Sequence, residues 1–228
     1  LAGVLGSTAC TAAPPSPAAD NPLHGRVLAE YAPATPAFEA FRAGLVANRF
    51  LDTIATRLND SLALPLDITI ATAHCDEPNA TYNPSLRRVT LCYELFKSLA
   101  DHFQSTPGQE YVVPGTIMFA LMHETGHALV DVLALPVTGR EEDAVDQLAT
   151  ILLLEQGAIG DSLAFGAVGW FASTARRGDL DSLALADDHD AVHVDAAERL
   201  VHGVDGRLGG GPLGAAPPPA GAAERRGL

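Results

Sequence analysis

The chain has 228 residues and a hydrophobic content of 47%, enough to bury one good core and too little for two sizeable ones. Fourteen Lys and Arg against 28 Asp and Glu give a formal charge of -14, which disfavours a nucleic-acid partner because phosphate binding needs clustered positive charge. An anionic membrane surface would repel the same charge, and no run of about 20 apolar residues is present to span a bilayer.

Leu1 to Cys10 is uncharged, apolar and small, and ends in Ser-Thr-Ala-Cys. It reads as the trailing part of a lipoprotein signal peptide with Cys10 as the residue to be lipidated, the alternative being an apolar tail with no such role. Residues 11–22, rich in Pro and Ala, read as a tether, so that 1–22 stands apart from a domain over 23–202. Within that domain, Ala37 to Asn59 has helical periodicity through Phe38, Phe41, Leu45, Phe50 and Ile54. Leu66 to Ala73 alternates and is β-rich, fitting a strand, and Arg87 to Leu91 fits a second, with Asn83-Pro84 marking the turn before it.

Cys92 to Phe103 reads as a helix and Ser105 to Pro114 as a loop, whose Pro114-Gly115 leads into a strongly apolar helix over Ile117 to Leu133. A turn over Pro136 to Gly139 precedes a further helix. Gly160 to Arg176 and Ala191 to Val201 also read as helical. From Gly203 onward Gly, Pro and Ala dominate, so 203–228 is expected to be disordered. Cys75 and Cys92 flank the second strand. Export would permit a disulfide between them and leave Cys10 as the odd cysteine expected of a lipid anchor, while two buried thiols in a reducing compartment is the alternative. The expected location is therefore the cell envelope or the exterior.

His123-Glu-Thr-Gly-His127 carries the chemistry. With 3.6 residues per turn, His123 and His127 lie one above the other on one face of the helix and can reach a single ion, with Glu124 one residue round. HExxH supplies two zinc ligands and a carboxylate that activates a zinc-bound water. The sector holding His123, Glu124, His127 and Asp131 contains only one apolar residue, Ala120, whereas Met118, Leu121, Met122, Leu129, Val132 and Leu133 fill the rest. Polar groups gathered in one stripe of a buried helix are costly unless they bind something. A pair of histidines hydrogen-bonded in a core is the plain alternative. Asp131 shares the stripe but reads as a solvated carboxylate at the helix end.

A catalytic zinc site normally has three protein ligands and an open position. The HExxHxxGxxH continuation would require Gly at 130 and His at 133, where this chain has Val130 and Leu133. The gluzincin solution is a Glu from a second helix, and Glu141-Glu142-Asp143-Ala144-Val145-Asp146 begins one. Glu142 and Asp146, four apart, share a face. Glu142 is assigned as third ligand and Asp146 as the group orienting a ligating histidine. Glu141 is the reserve candidate, since it projects nearer the apolar face formed by Val145, Leu148 and Leu152; the bland reading of Glu141 and Asp143 is charge stabilisation of a helix N-terminus.

The segments Cys75-Asp-Glu-Pro-Asn-Ala-Thr-Tyr-Asn-Pro84, Leu91-Cys-Tyr-Glu-Leu95 and HETGHALVDVLALPVTGREEDAVDQLAT resemble a bacterial family of putative metallopeptidases catalogued as a domain of unknown function. The likeness runs from about Phe38 to about His189, with HExGHAL followed by PxxGREEDxxDQ as its specific part. The resemblance implies an α+β, mostly helical zincin-like domain of gluzincin type, with a small β-sheet beside the active-site helix. It also implies zinc (Zn2+), with His123, Glu124, His127 and Glu142 in the roles already argued. Such proteins carry an acidic-His segment after the helix that follows the site, and Ala186-Asp187-Asp188-His189 matches its start. His189 is a candidate donor to a developing oxyanion, or else an exposed polar residue.

The expected activity is zinc-dependent hydrolysis of a peptide bond in a peptide or protein substrate. One strand is expected to border the cleft and take an extended peptide as a further strand, with Tyr82 or Tyr93 as candidate lining residues or ordinary packing aromatics. The alternatives are an exported zinc-binding or peptide-binding protein without turnover, and a zinc hydrolase of a non-peptide amide.

Overall fold

The computed structural model describes residues 23–177, so Cys10, His189 and the helix expected over 191–201 lie outside the described residues. The described chain is mixed α+β and mostly helical. It runs β1 (Val27–Tyr31), α1 (Glu39–Ala47), α2 (Phe50–Ser61), β2 (Ile68–Ala73), β3 (Ala80–Asn83), β4 (Arg88–Cys92), α3 (Tyr93–His102), α4 (Gln109–Val132), α5 (Glu141–Leu154) and α6 (Ala158–Arg177).

The four strands form one sheet in the order β1-β2-β4-β3, parallel throughout except for the antiparallel outer strand β3. Because side chains alternate across a strand, the register places Val27, Tyr31, Ile68, Ile70, Thr72, Val89, Leu91, Ala80 and Tyr82 on one face. That face carries the core: α2 covers its β1 side with Leu51, Ile54 and Leu58, and α4 lies against β3 and β4. The other face is more open. There the Arg88 guanidinium reaches from β4 over β2 to grip both carboxylate oxygens of Glu30 on β1, at 2.6 and 2.9 Å. This two-toothed pair lies over the part of β2 where Ala71 is fully buried.

Three sequence expectations are corrected. The helix read over 37–59 is two helices, because Arg49 adopts left-handed backbone (φ 51°) and the Asn48 side chain closes the end of α1 on the Gly44 carbonyl. The loop read up to Pro114 is helix from Gln109, with Pro114 inside it. Pro114 costs one ladder hydrogen bond, but packing on α6 holds the upstream turn in place: a methyl on Gly166 would sit 2.0 Å from the Tyr111 carbonyl oxygen. Strands β1 and β3 are additional to the two expected. Leu28, 44% exposed on the open face, hides the alternation of β1, and β3 is only four residues long.

The Cys75–Cys92 disulfide forms as expected. It fastens the segment after β2 to the start of α3, where Glu94 also accepts hydrogen bonds from the backbone N–H groups of Cys75 and Asp76 and pairs with His74. No described helix is long and apolar enough to cross a membrane.

Candidate metal centre

On α4 and α5 the buried polar residues separate into two kinds. Thr116, Thr125 and Thr150 turn their hydroxyls back onto the carbonyls of Val112, Leu121 and Asp146, one turn earlier, which satisfies them locally. The buried residues of these two helices able to carry charge are His123, Glu124 and Asp146. They belong to one place, where α5 crosses α4.

Two features of the chain bring them together. On α4, HExxH spacing brings His123 and His127 together edge to face, with ring centroids 4.9 Å apart. On α5, Glu142 and Asp146 stand one turn apart with Val145 between them, fully buried against Gly126 of α4. The first two turns of α5 thereby deliver three carboxylates, Glu141, Glu142 and Asp146, to the two imidazoles. Asp146 Oδ1 lies 2.9 Å from His123 Nδ1, and Glu141 Oε1 lies 2.9 Å from His127 Nδ1. Glu142 spans the opposite side of both rings, its oxygens 3.2 Å from His123 Nε2 and 3.4 Å from His127 Nε2. The two Nε2 atoms are themselves 3.2 Å apart.

The tautomers follow from these partners. A carboxylate on each Nδ1 requires an N–H there, so each neutral ring presents a lone pair at Nε2. Two Nε2 lone pairs and the Glu142 carboxylate then converge, three acceptors with no donor among them. Only a proton or a cation holds such a set together. The donor atoms of His123, His127 and Glu142 lie within 4.8 Å of one another, and two imidazole nitrogens with a carboxylate oxygen are the ligand types of a catalytic zinc site. The residues present fit a divalent metal of that kind.

Without a metal, protons take its place. Burial disfavours the charged His123 imidazole, but Asp146 and Glu142 outweigh it and push its pKa up to about 10. His127 is raised in the same way, burial opposing and Glu142 and Glu141 prevailing. Hydrogen bonds from the two histidines hold the Glu142 carboxyl below the usual carboxylate range despite partial burial. A site that draws a positive charge between its nitrogens and Glu142 is the electrostatic counterpart of the geometry.

Of the residues singled out by sequence, His123, His127, Glu142 and Asp146 meet as a cluster, and Glu124 is buried beside them on α4. Glu141 is near too, but on the far nitrogen of His127 rather than on the Glu142 side. The signal for this was available: a ligating histidine needs a partner for its other nitrogen, and Asp146 can serve only one of two. Asp131 is exposed at the end of α4, as read from the sequence, and also accepts a 2.6 Å hydrogen bond from Tyr82 on β3, which ties the outer strand to α4 one turn beyond His127. Burial, with the Asp131 contact next, raises the Tyr82 phenol, so it stays a donor. Tyr93 is fully buried, donates to the Ala32 carbonyl and is a core residue, not a cleft residue.

No curated protein and no solved structure matches this chain. A family model does, over residues 31–197, a span that contains every residue of the cluster. The chain therefore belongs to that family, DUF4344, whose description is "putative metallopeptidase".

Proposed function

We propose that the protein is a zinc-dependent peptidase of gluzincin type, with His123, His127 and Glu142 as metal ligands. Asp146 and Glu141 orient the two histidines, and Glu124 is the general base. Family membership supports a metal-dependent peptidase in general. The observation that carries the finer reading is the convergence of two Nε2 atoms and one carboxylate, each histidine backed by its own carboxylate.

Zinc held there would supply a Lewis acid for the scissile carbonyl and acidify an attacking water. The chain does the rest. Asp146 and Glu141 hold both rings in the Nδ1–H tautomer, which commits each Nε2 to ligation. Glu124 takes a proton as water oxygen bonds to the carbonyl carbon, and returns it to the leaving amine as the C–N bond breaks. In the antiparallel pairing of β3 with β4, the Cys92 N–H bonds to the Asn79 carbonyl. Alternation then turns the Tyr82 backbone N–H and C=O outward. That outer edge, tied to α4 through Asp131, is the strand we assign to an extended substrate.

His189 is retained as a proposed oxyanion donor, and it lies within the family match. The disulfide and the lack of a membrane-crossing helix among the described residues are compatible with export, which we propose together with lipidation at Cys10.

The test is Glu124→Gln assayed on a diverse peptide library with zinc loaded. The variant is expected to keep its metal and lose turnover by at least about a hundredfold, the scale of a lost general base. Unchanged turnover would remove Glu124 from the chemistry. Loss of zinc in the variant would make it a ligand or a structural group.

A further inference from the structure

Resting on the ligand set proposed above, we infer that Gly126 is a positioning residue: its missing side chain sets the separation of α4 and α5 and thereby the reach of Glu142. Gly126 is the fourth residue of HETGH, on the side of α4 that meets α5. A methyl group built on it would lie 2.9 Å from Val145 Cβ, 3.1 Å from Val145 Cγ1 and 3.3 Å from Val145 Cα. Val145 is fully buried, and the closest of these atoms belong to its branched Cβ and the backbone beneath it, so no flexible side-chain end can swing away.

Carbon atoms in contact settle at about 3.5–4.0 Å. An alanine at 126 therefore forces the helices apart by roughly 0.6–1 Å at this crossing. Val145 follows Glu142 by three residues and precedes Asp146 by one, so the displacement acts on the ligand and on the orienting carboxylate together. Glu142 now stands 3.2 and 3.4 Å from the two nitrogens. Metal–ligand distances tolerate only about 0.2 Å. Packing at Gly126 thus sits upstream of metal affinity, although it touches no donor atom.

Zinc and cobalt(II) alone are the probes, measured by chelator competition and by the visible spectrum of the cobalt form, on the full chain and without reference to turnover. Gly126→Ala is expected to weaken zinc by about ten- to a hundredfold, the range found when support for a metal ligand is lost, and to alter the cobalt spectrum. Gly169→Ala is the comparison: its methyl would meet the side-chain end Val112 Cγ2 at 3.0 Å at the α4–α6 contact, a milder intrusion away from the donors, and should leave zinc affinity within about twofold of wild type (~0.4 kcal/mol). Gly126→Ala combined with Val145→Gly removes the Cβ and Cγ1 atoms that the methyl would meet, leaving only Val145 Cα at 3.3 Å, and should recover most of the loss.

Wild-type zinc affinity in a folded Gly126→Ala protein would overturn the inference while leaving the ligand set standing. Equal losses from Gly126→Ala and Gly169→Ala would overturn it as well, by showing a general effect of helix packing. Should Gly126→Ala not fold, the double variant decides: zinc binding restored supports the positioning role, and a folded double variant that binds no zinc refutes it. A wild-type chain that binds neither metal would end both this inference and the reading on which it rests.

Discussion

Replacing Asp146 with alanine separates a metal site from a hydrogen-bonded core histidine. Asp146 and His123 are 1% and 5% exposed and meet at 2.9 Å, so bulk solvent does not reach the lost carboxylate's place. The His123 Nδ1–H would be left buried without its acceptor, a cost of about 1–3 kcal/mol to the fold. The ring would also lose the partner that fixes its tautomer, and removal of such a partner weakens metal binding by about 10–100-fold, or roughly 1.4–2.7 kcal/mol. Asp146→Asn keeps an acceptor oxygen and loses the charge, so it should fall between wild type and alanine. The assay is zinc competition against a chromophoric chelator, with urea unfolding of the metal-free protein to measure the structural part separately. A folded Asp146→Ala protein that binds zinc within twofold of wild type would refute the reasoning, because His123 would then not be a ligand held by Asp146.

Three further outcomes follow from the same geometry and from the disulfide. His123 has a folded pKa of about 10 against about 6.5 when unfolded, so its contribution to metal-free stability is complete below about pH 6.5 and is lost as pH rises through 10. Zinc needs the Nε2 lone pair, so binding near pH 8 should release about one proton per chain; calorimetry in buffers of different ionisation enthalpy reads this, and a buffer-independent binding enthalpy would contradict it. The Cys75–Cys92 bridge spans 17 residues and should contribute about 3 kcal/mol. The Cys75→Ser, Cys92→Ser double variant should therefore melt roughly 6–12 °C lower with zinc stoichiometry unchanged, since the donors sit on α4 and α5; an unchanged melting temperature would show that the bridge adds nothing.

The legible parts of this chain are those where one local pattern suffices. HExxH on a helix needs only the helical repeat to place two imidazoles together, and ExxxD on the next helix needs the same repeat to place Glu142 and Asp146. Boundaries decided by distant packing were not legible. The extension of α4 upstream of Pro114 depends on contact with Gly166, more than 50 residues away, and the break at Arg49 depends on a single left-handed residue of a type that does not advertise it. Strand β1 escaped because one outward leucine erased its alternation. At the site, the projection of Glu141 toward the apolar face did not say which imidazole nitrogen it would meet; only the need of His127 for an Nδ1 partner pointed to it. Which nitrogen it meets depends on how far apart the two helices lie, and Gly126 against Val145 is where this is set.

The most direct test is metal content per chain in purified protein, comparing wild type with Glu142→Ala. About one tightly held zinc in wild type, lost or strongly weakened in the variant, is the predicted result. Well-folded wild-type protein that takes up no zinc when zinc is supplied would contradict the account and leave His123, His127 and Glu142 as a protonated cluster between two helices.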